Sequence, residues 1–418
     1  MPARGSSVLL LGLSVLLATP AAAATPADRA ECAASAGKPE AANAACGRIA
    51  EDASETASVR AEAFRNRGRG WFNRKDYERA IADYSEAIRL DPASAAALAQ
   101  RCEAYESKED HAAAIADCSQ AIAIDPRHGP AYDHRGIAHF GLRDYDAALA
   151  DHSAAIEIDA RDGLAHARRG MAWTEKGAFD KAIADLTAAV TLDPSSAFAF
   201  GQRGHAHFRQ RLITKKGGWE AAIADYSEAI RLDPNLLWLY SSRGVAYSNN
   251  RQYDRAVADC SEVIRRDPGN FIGYNCRGAA YEGLRNYRKA IADYDFSIAI
   301  NPKNGVAYWN RGNALQALGG IDEAIADYDR AIAINPKDFN ALNSRGKAYV
   351  AKRDSERAIA DFTQAIEFHP TYVEAYGNRG LSYAALGLRP QAIADFRKAQ
   401  AIDPDDRLSN QQLRFLER

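Results

Sequence analysis

The sequence predicts an all-α protein built as a linear array of helix-turn-helix repeats. Three observations carry this: a proline returning at a fixed interval, two helix-period patterns within each interval, and the stretch AIADYSEAIRLDP standing verbatim at 80–92 and 222–234. The prolines are Pro92, Pro126, Pro194, Pro234, Pro268, Pro302, Pro336, Pro370 and Pro404. Most gaps are 34 residues; one of 68 spans two units, with Ala160 in the proline's place, and one of 40 carries six extra residues within RLITKKGG, 211–218. Ten units follow: 59–92, 93–126, 127–160, 161–194, 195–234, 235–268, 269–302, 303–336, 337–370 and 371–404. Positions are numbered 1 to 34 within a unit, the proline last, with the six extra residues of 195–234 left out of the count.

Length agrees with an array, since a single core stops growing well short of 418 residues. Hydrophobic residues at 47%, charged residues at 26% and a net charge of −2 describe a soluble chain with no global basic or acidic bias. That balance gives a nucleic-acid or membrane-surface partner no support.

Taken in order, the chain opens with Arg4, an apolar run from Val8 to Leu17 and the small-residue tract Ala21–Ala24. This layout predicts a secretory signal peptide over 1–24, cleaved after Ala24; an uncleaved anchor is the weaker reading because the run is short for a spanning helix. No cysteine follows the tract directly, so no lipid anchor is expected, and no integral membrane segment remains after cleavage. The mature chain is therefore expected to be exported, periplasmic or secreted. Residues 25–58 are read as an N-terminal capping segment with a degenerate helical hairpin.

In the unit 269–302, YNCRGAAY forms the first helical pattern and YRKAIADYDFSIAI the second, where Ala290, Tyr294, Ser297 and Ile298 share one helical face. The proline after ID or IN stops the second helix. Position 10 is glycine in nine units (Gly68 to Gly380) and position 22 is alanine in all ten (Ala80 to Ala392). Glycine inside a helix costs roughly 1 kcal/mol, so a compensating close approach of the two helix backbones is expected. Large side chains at position 13 (Trp71, Tyr105, Trp173, Tyr281, Tyr383) and position 26 (Tyr84, Tyr226, Tyr294, Phe362) fill the space beside it. A two-helix unit cannot bury this face alone and stacks on its neighbours.

These residues resemble the tetratricopeptide repeat (TPR) family, in the variant whose helices read Y-x-x-R-G-x-A-Y and A-I-A-D-Y-x-x-A-I-x-x-x-P; Tyr274, Arg277, Gly278, Tyr281, Ala290, Tyr294 and Pro302 carry it in one unit. The resemblance covers 59–404. It implies a right-handed superhelical solenoid whose first helices line a concave face that holds peptides or partner proteins. Residues 405–418, with Leu408, Leu413 and Leu416 on one side, are read as a C-terminal capping helix, which an open array needs.

Position 9 is arginine and position 25 aspartate in every unit, Arg67 with Asp83 through Arg379 with Asp395. Matching carboxylates favour structural ion pairs, within a unit or between neighbours, over a ladder for anionic ligands. The cysteines are even in number. Cys102 and Cys118 stand equally far from one turn, Cys260 and Cys276 from Pro268, and Cys32 and Cys46 from Pro39, the arrangement by which facing helices meet. Three local disulfides, Cys32–Cys46, Cys102–Cys118 and Cys260–Cys276, are expected; small buried thiols are the other reading. No pair has the spacing of a redox or zinc motif.

No glycine-rich phosphate loop, HExxH or GxSxG arrangement occurs, so no catalytic residue, cofactor or metal site is assigned and the chain is not expected to be an enzyme. Six of nine histidines (His134, His139, His152, His166, His205, His207) fall in repeats three to five. On one reading His139, His152 and His166 converge at a seam between repeats, giving a metal- or small-ligand-binding solenoid as the alternative function. On the other, histidine replaces tyrosine as a flat ring. Specificity on the first helices is sought at the variable positions 4, 7, 11 and 14, occupied by Arg65, Arg69, Phe140, Met171, His205, Phe208, Trp238, Trp309 and Asn313. Aromatic groups there suit a hydrophobic or extended peptide, unless they pack on adjacent helices. The function expected is a non-enzymatic exported scaffold binding one or more proteins or peptides.

Overall fold

The computed structural model describes residues 24–33 and 39–416; the leader expected over 1–24 lies, apart from Ala24, outside them. Among the described residues there are 23 α-helices and no strand. Contacts divide the chain into two compact units, residues 1–192 and 193–418. In the first, helices Pro26–Ala33 and Pro39–Glu51 precede four helical hairpins, from Ala57–Asn73 with Tyr77–Leu90 to Gly163–Glu175 with Phe179–Leu192. In the second, six hairpins run from Ala197–Thr214 with Trp219–Leu232 to Val373–Ala385 with Arg389–Ile402, followed by Arg407–Leu416. Within each unit every helix packs on the one before and the one after it, as expected of an α-solenoid with no single centre.

Local chemistry sets the helix ends. Asp76, Asp110, Asp144, Asn286 and Asp354 cap second helices by accepting the amide three residues on. The turn before each cap needs one left-handed residue at position 17, which is glycine at Gly177, Gly319 and Gly387 but Lys75, Glu109, Arg143, Arg251, Arg285 and Arg353 elsewhere. The six extra residues of 195–234 do not simply lengthen a loop. They prolong the first helix to Thr214, and Lys215, left-handed at φ 60°, ends it.

Inside the hairpins the structure corrects one expectation. The open side of the position-10 glycine faces chiefly the side chain of position 26, and the opposing backbone comes second. A Cβ on Gly278 would lie 2.6 Å from the Tyr294 ring and one on Gly346 2.6 Å from Phe362, while the nearest opposing backbone atom to Gly204 is Ala222 O at 3.2 Å. Tyr84, Tyr226, Tyr294, Tyr328, Phe362 and Phe396 are buried there, each 0–1% exposed. The glycine makes a seat for a ring, and the ring's burial offsets its helix penalty.

All ten arginine–aspartate pairs close within their own hairpin as two-pronged contacts. In one, Arg277 Nε and Nη2 donate to Asp293 Oδ2 and Oδ1 at 2.8 and 2.7 Å; Arg67–Asp83 and Arg379–Asp395 repeat it. The spare Nη1 reaches back to the preceding hairpin, to Ser119 from Arg135 and to Ser227 from Arg243. The guanidinium thus ties two helices together and then two repeats.

At the termini, the Cα atoms of Cys32 and Cys46 lie 4.8 Å apart. Leu413 packs on Ala392 and Phe396, covering the last hairpin.

Candidate functional site

The face to consider is the one the first helices present at positions 4, 7, 8, 11 and 14. In the first unit its polar groups are largely committed to one another. Arg65 Nε donates to Gln100 Oε1 at 3.1 Å, and Arg69 pairs with Glu103 at 2.8 Å while lying over the Phe72 ring. Arg168 pairs with Asp133. Phe140 meets Tyr145 edge-on, with ring centroids 5.3 Å apart, and packs on Ala148, Leu149 and Ala172; Met171 is half-buried.

The second unit is arranged differently. His205 and Phe208 line a cavity of about 220 Å³ with Tyr226, Ser241, Ser242, Val245 and Ile272. Three successive first helices contribute, Ala197–Thr214, Leu237–Asn249 and Phe271–Gly283. Val245 and Ile272 are 38% and 50% exposed. Trp238 rests its indole against the bare backbone of Gly201, 2.8 Å from where a Cβ would stand, and is 39% exposed. Glycine at 201 lets the indole lie flat along the neighbouring helix.

Phe208 also packs against Trp219, with centroids 5.3 Å apart. Trp309 Nε1 donates to Ser344 Oγ at 2.9 Å, and Asn313 accepts from the Tyr328 hydroxyl at 2.9 Å. Of the nine residues singled out in the sequence, two therefore share a cavity, Trp238 stands on a helix that contributes to it, five engage neighbours elsewhere, and Met171 is half-buried. Val245 and Ile272 were not singled out, although they occupy positions 11 and 4, where variation was the signal.

The histidines each sit beside an aspartate of the arginine pairs or a neighbouring helix. His139, His166 and His207 lie 3.9, 3.6 and 3.8 Å from Asp151, Asp185 and Asp225. His152 takes the ring seat of position 26 opposite Gly136, 3.2 Å from the Asp133 carboxylate that Arg168 already holds. Burial holds its imidazole down to about 4, with Asp151 pulling the other way. Among the described residues no group of three or more His, Cys, Asp or Glu side chains is placed to hold a metal ion, and His139, His152 and His166 each lie beside a different aspartate. The cysteine pairs Cys102–Cys118 and Cys260–Cys276 lie at disulfide distance, with Cα separations of 5.6 and 5.8 Å. The first takes the glycine and ring positions of its hairpin; the second joins consecutive repeats.

With this geometry in place, comparison with known proteins assigns the class. Family profiles described as tetratricopeptide repeat match residues 61–94, 95–128, 135–197, 239–270 and 343–407, and one described as TPR repeat matches 212–250 and 317–352. The chain belongs to the tetratricopeptide repeat family. Its fold is similar to that of a chain in the APC/C hetero-tetramer Cut9–Hcn1, at 14% identity and TM-score 0.51, over 91% of this chain and 83% of that one. Yeast Tom70 is similar at 16% identity and TM-score 0.48, over 85% and 88% of the two chains. A tetratricopeptide repeat protein of Parabacteroides merdae is similar at 21% identity and TM-score 0.49, over 61% of this chain and 99% of that one. No curated protein matches the sequence. Members of the family bind protein partners, and this chain has the scaffold fold that does so. Among the described residues no helix is long and apolar enough to cross a membrane.

Proposed function

We propose that the protein is a non-enzymatic, exported scaffold that holds a partner protein on the first-helix face of its second unit. The observation carrying this reading is the exposed apolar pair Val245 and Ile272 on the lining of the cavity of His205 and Phe208, with Trp238 exposed on the same helix as Val245. A face rigidly presented by packed helices, apolar and open to solvent, gains free energy when a partner covers it. Export is supported by the leader pattern of 1–24 and by three cysteine pairs at disulfide distance, which suit an oxidising compartment such as the periplasm or the cell exterior. No motif in the sequence supplies a nucleophile, base or cofactor cradle, so binding is the whole of the proposed activity.

The test is affinity capture from the native envelope fraction with the wild-type chain, Trp238→Ala, Trp309→Ala and Val245→Asp side by side. The reading expects one or more proteins retained by wild type and lost from Trp238→Ala and Val245→Asp with folding unchanged. Retention indifferent to these changes would refute it.

A further inference from the structure

Beside the apolar cavity, and sharing Val245 with it, lies a second one of about 470 Å³ whose lining includes Ser248, Tyr253, Glu282 and Tyr287. Its chemistry differs. Glu282 sits at position 14, where other repeats carry Phe72, Phe140, Phe208, Ser248 or Gln316. Its carboxylate accepts one hydrogen bond, from the Tyr294 hydroxyl at 3.0 Å, and among the described residues no cation pairs with it. Arg285, on the rim of the Glu282 cavity, is exposed and makes no ion pair with it among the described residues. Burial raises the Glu282 carboxyl above its ordinary value, as expected of a charge removed from water without an opposite charge. Ser248 Oγ, also on the lining, is buried without a hydrogen-bond partner. A carboxylate with a single donor and a hydroxyl with no partner are therefore left beside phenol rings, next to an apolar cavity.

We propose that these adjoining cavities bind a partner segment in which an apolar side chain stands close to a lysine or arginine, the apolar group on Val245 and Ile272 and the cation on Glu282. An ammonium or guanidinium brings the missing charge and several donors, and the Tyr253 and Tyr287 rings on the lining suit a cation. An acidic segment would place a second negative charge beside Glu282 and is excluded by the same geometry. This inference names the partner chemistry of the scaffold reading above and rests on it.

A random library of phage-displayed dodecapeptides, selected on the full oxidised chain, tests it. The selected peptides should carry Lys or Arg within a few residues of Leu, Ile, Phe or Trp. A synthetic consensus peptide should bind Glu282→Gln about tenfold more weakly than wild type, since the cation loses its opposite charge and keeps only a hydrogen bond to a neutral amide. Gln keeps an acceptor for Tyr294, so the melting temperature should not move. Selection on Glu282→Lys should exchange the basic preference for Asp or Glu. Peptides selected without a basic residue, or bound equally by Glu282→Gln, would overturn the inference while leaving the scaffold reading standing. A library yielding no peptide sensitive to Val245→Asp would overturn both.

Discussion

The two units are built from the same letters and differ in what their first helices leave open. In the first, Arg65 turns to Gln100, Arg69 to Glu103 and Arg168 to Asp133, so the charged groups of that face largely answer one another, although His134 Nδ1 is buried there without a hydrogen-bond partner. In the second, between 238 and 282, Trp238, Val245 and Ile272 stay exposed and Glu282 has no cation. Further along, amide pairs return: Asn310 donates to Asn275 and Asn378 to Asn343. The glycine seat and the arginine–aspartate clamp are common to both units. Framework and availability are thus independent properties. The repeated positions build the hairpin, and the variable ones determine whether its face is satisfied by its neighbours or waits for another molecule.

The comparison breaks first if the shared clamp is not structural in both units. Asp151→Ala in the first and Asp293→Ala in the second each leave a largely buried guanidinium partner uncompensated and should cost about 3–5 kcal/mol, read from urea unfolding. A loss in one unit only would show that the clamp differs between them. Next in size are the cysteine pairs, with Cys102–Cys118 in the first unit and Cys260–Cys276 in the second. Each bond would close a loop with a sequence separation of 16, and Cys→Ser replacement of either pair should cost about 3 kcal/mol. Labelling the native protein without reductant should find no free thiol, and six would remove the proposal of disulfides.

A pH response should separate the units. His152 is held neutral, so its contribution is complete above the ordinary value of 6.5 and is lost as pH falls from there toward its lowered value of about 4, where the unfolded chain binds the proton more readily. The first unit should lose up to about 3 kcal/mol over that range. His152→Tyr, using the ring found at this position in other repeats, should remove the His152 share of the acid sensitivity and leave that of His134, whose imidazole burial also lowers, as followed by circular dichroism against pH. Smaller still is the effect of Trp238→Ala, expected to weaken partner binding by about 2 kcal/mol while changing the unfolding midpoint little, since the ring is 39% exposed. Smallest, Lys75→Gly in the first unit and Arg353→Gly in the second should each stabilise by no more than about 1 kcal/mol, because both residues are left-handed at φ 63° and 62°. Thermal melts will show whether the gain is the same in both.

Much of this was legible in the chain itself. A proline every 34 residues, paired with helix-period patterns, left little choice but stacked hairpins. One arginine and one aspartate per unit announced a clamp, and symmetry about each turn placed the cysteines opposite one another. These are local facts, expressible as a position within one unit. Val245 and Ile272 stand at the variable positions, but an aliphatic residue there reads the same in sequence whether its neighbours cover it or leave it exposed, and Trp309 and Phe140 at such positions are packed against neighbours.

By itself, then, the sequence determined the period, the helices and which residue types recur to pair, because hydrogen bonding, helix periodicity and capping act over a few residues; that each arginine closes on the aspartate of its own hairpin came from the structure. Only the tertiary structure decided that the position-10 glycine seats a ring, that 211–214 continue a helix, and that Glu282 is left without a cation. Those outcomes depend on which side chains from separate helices share a volume and exclude water from it, and burial of that kind is a property of neighbours in space, not of neighbours along the chain.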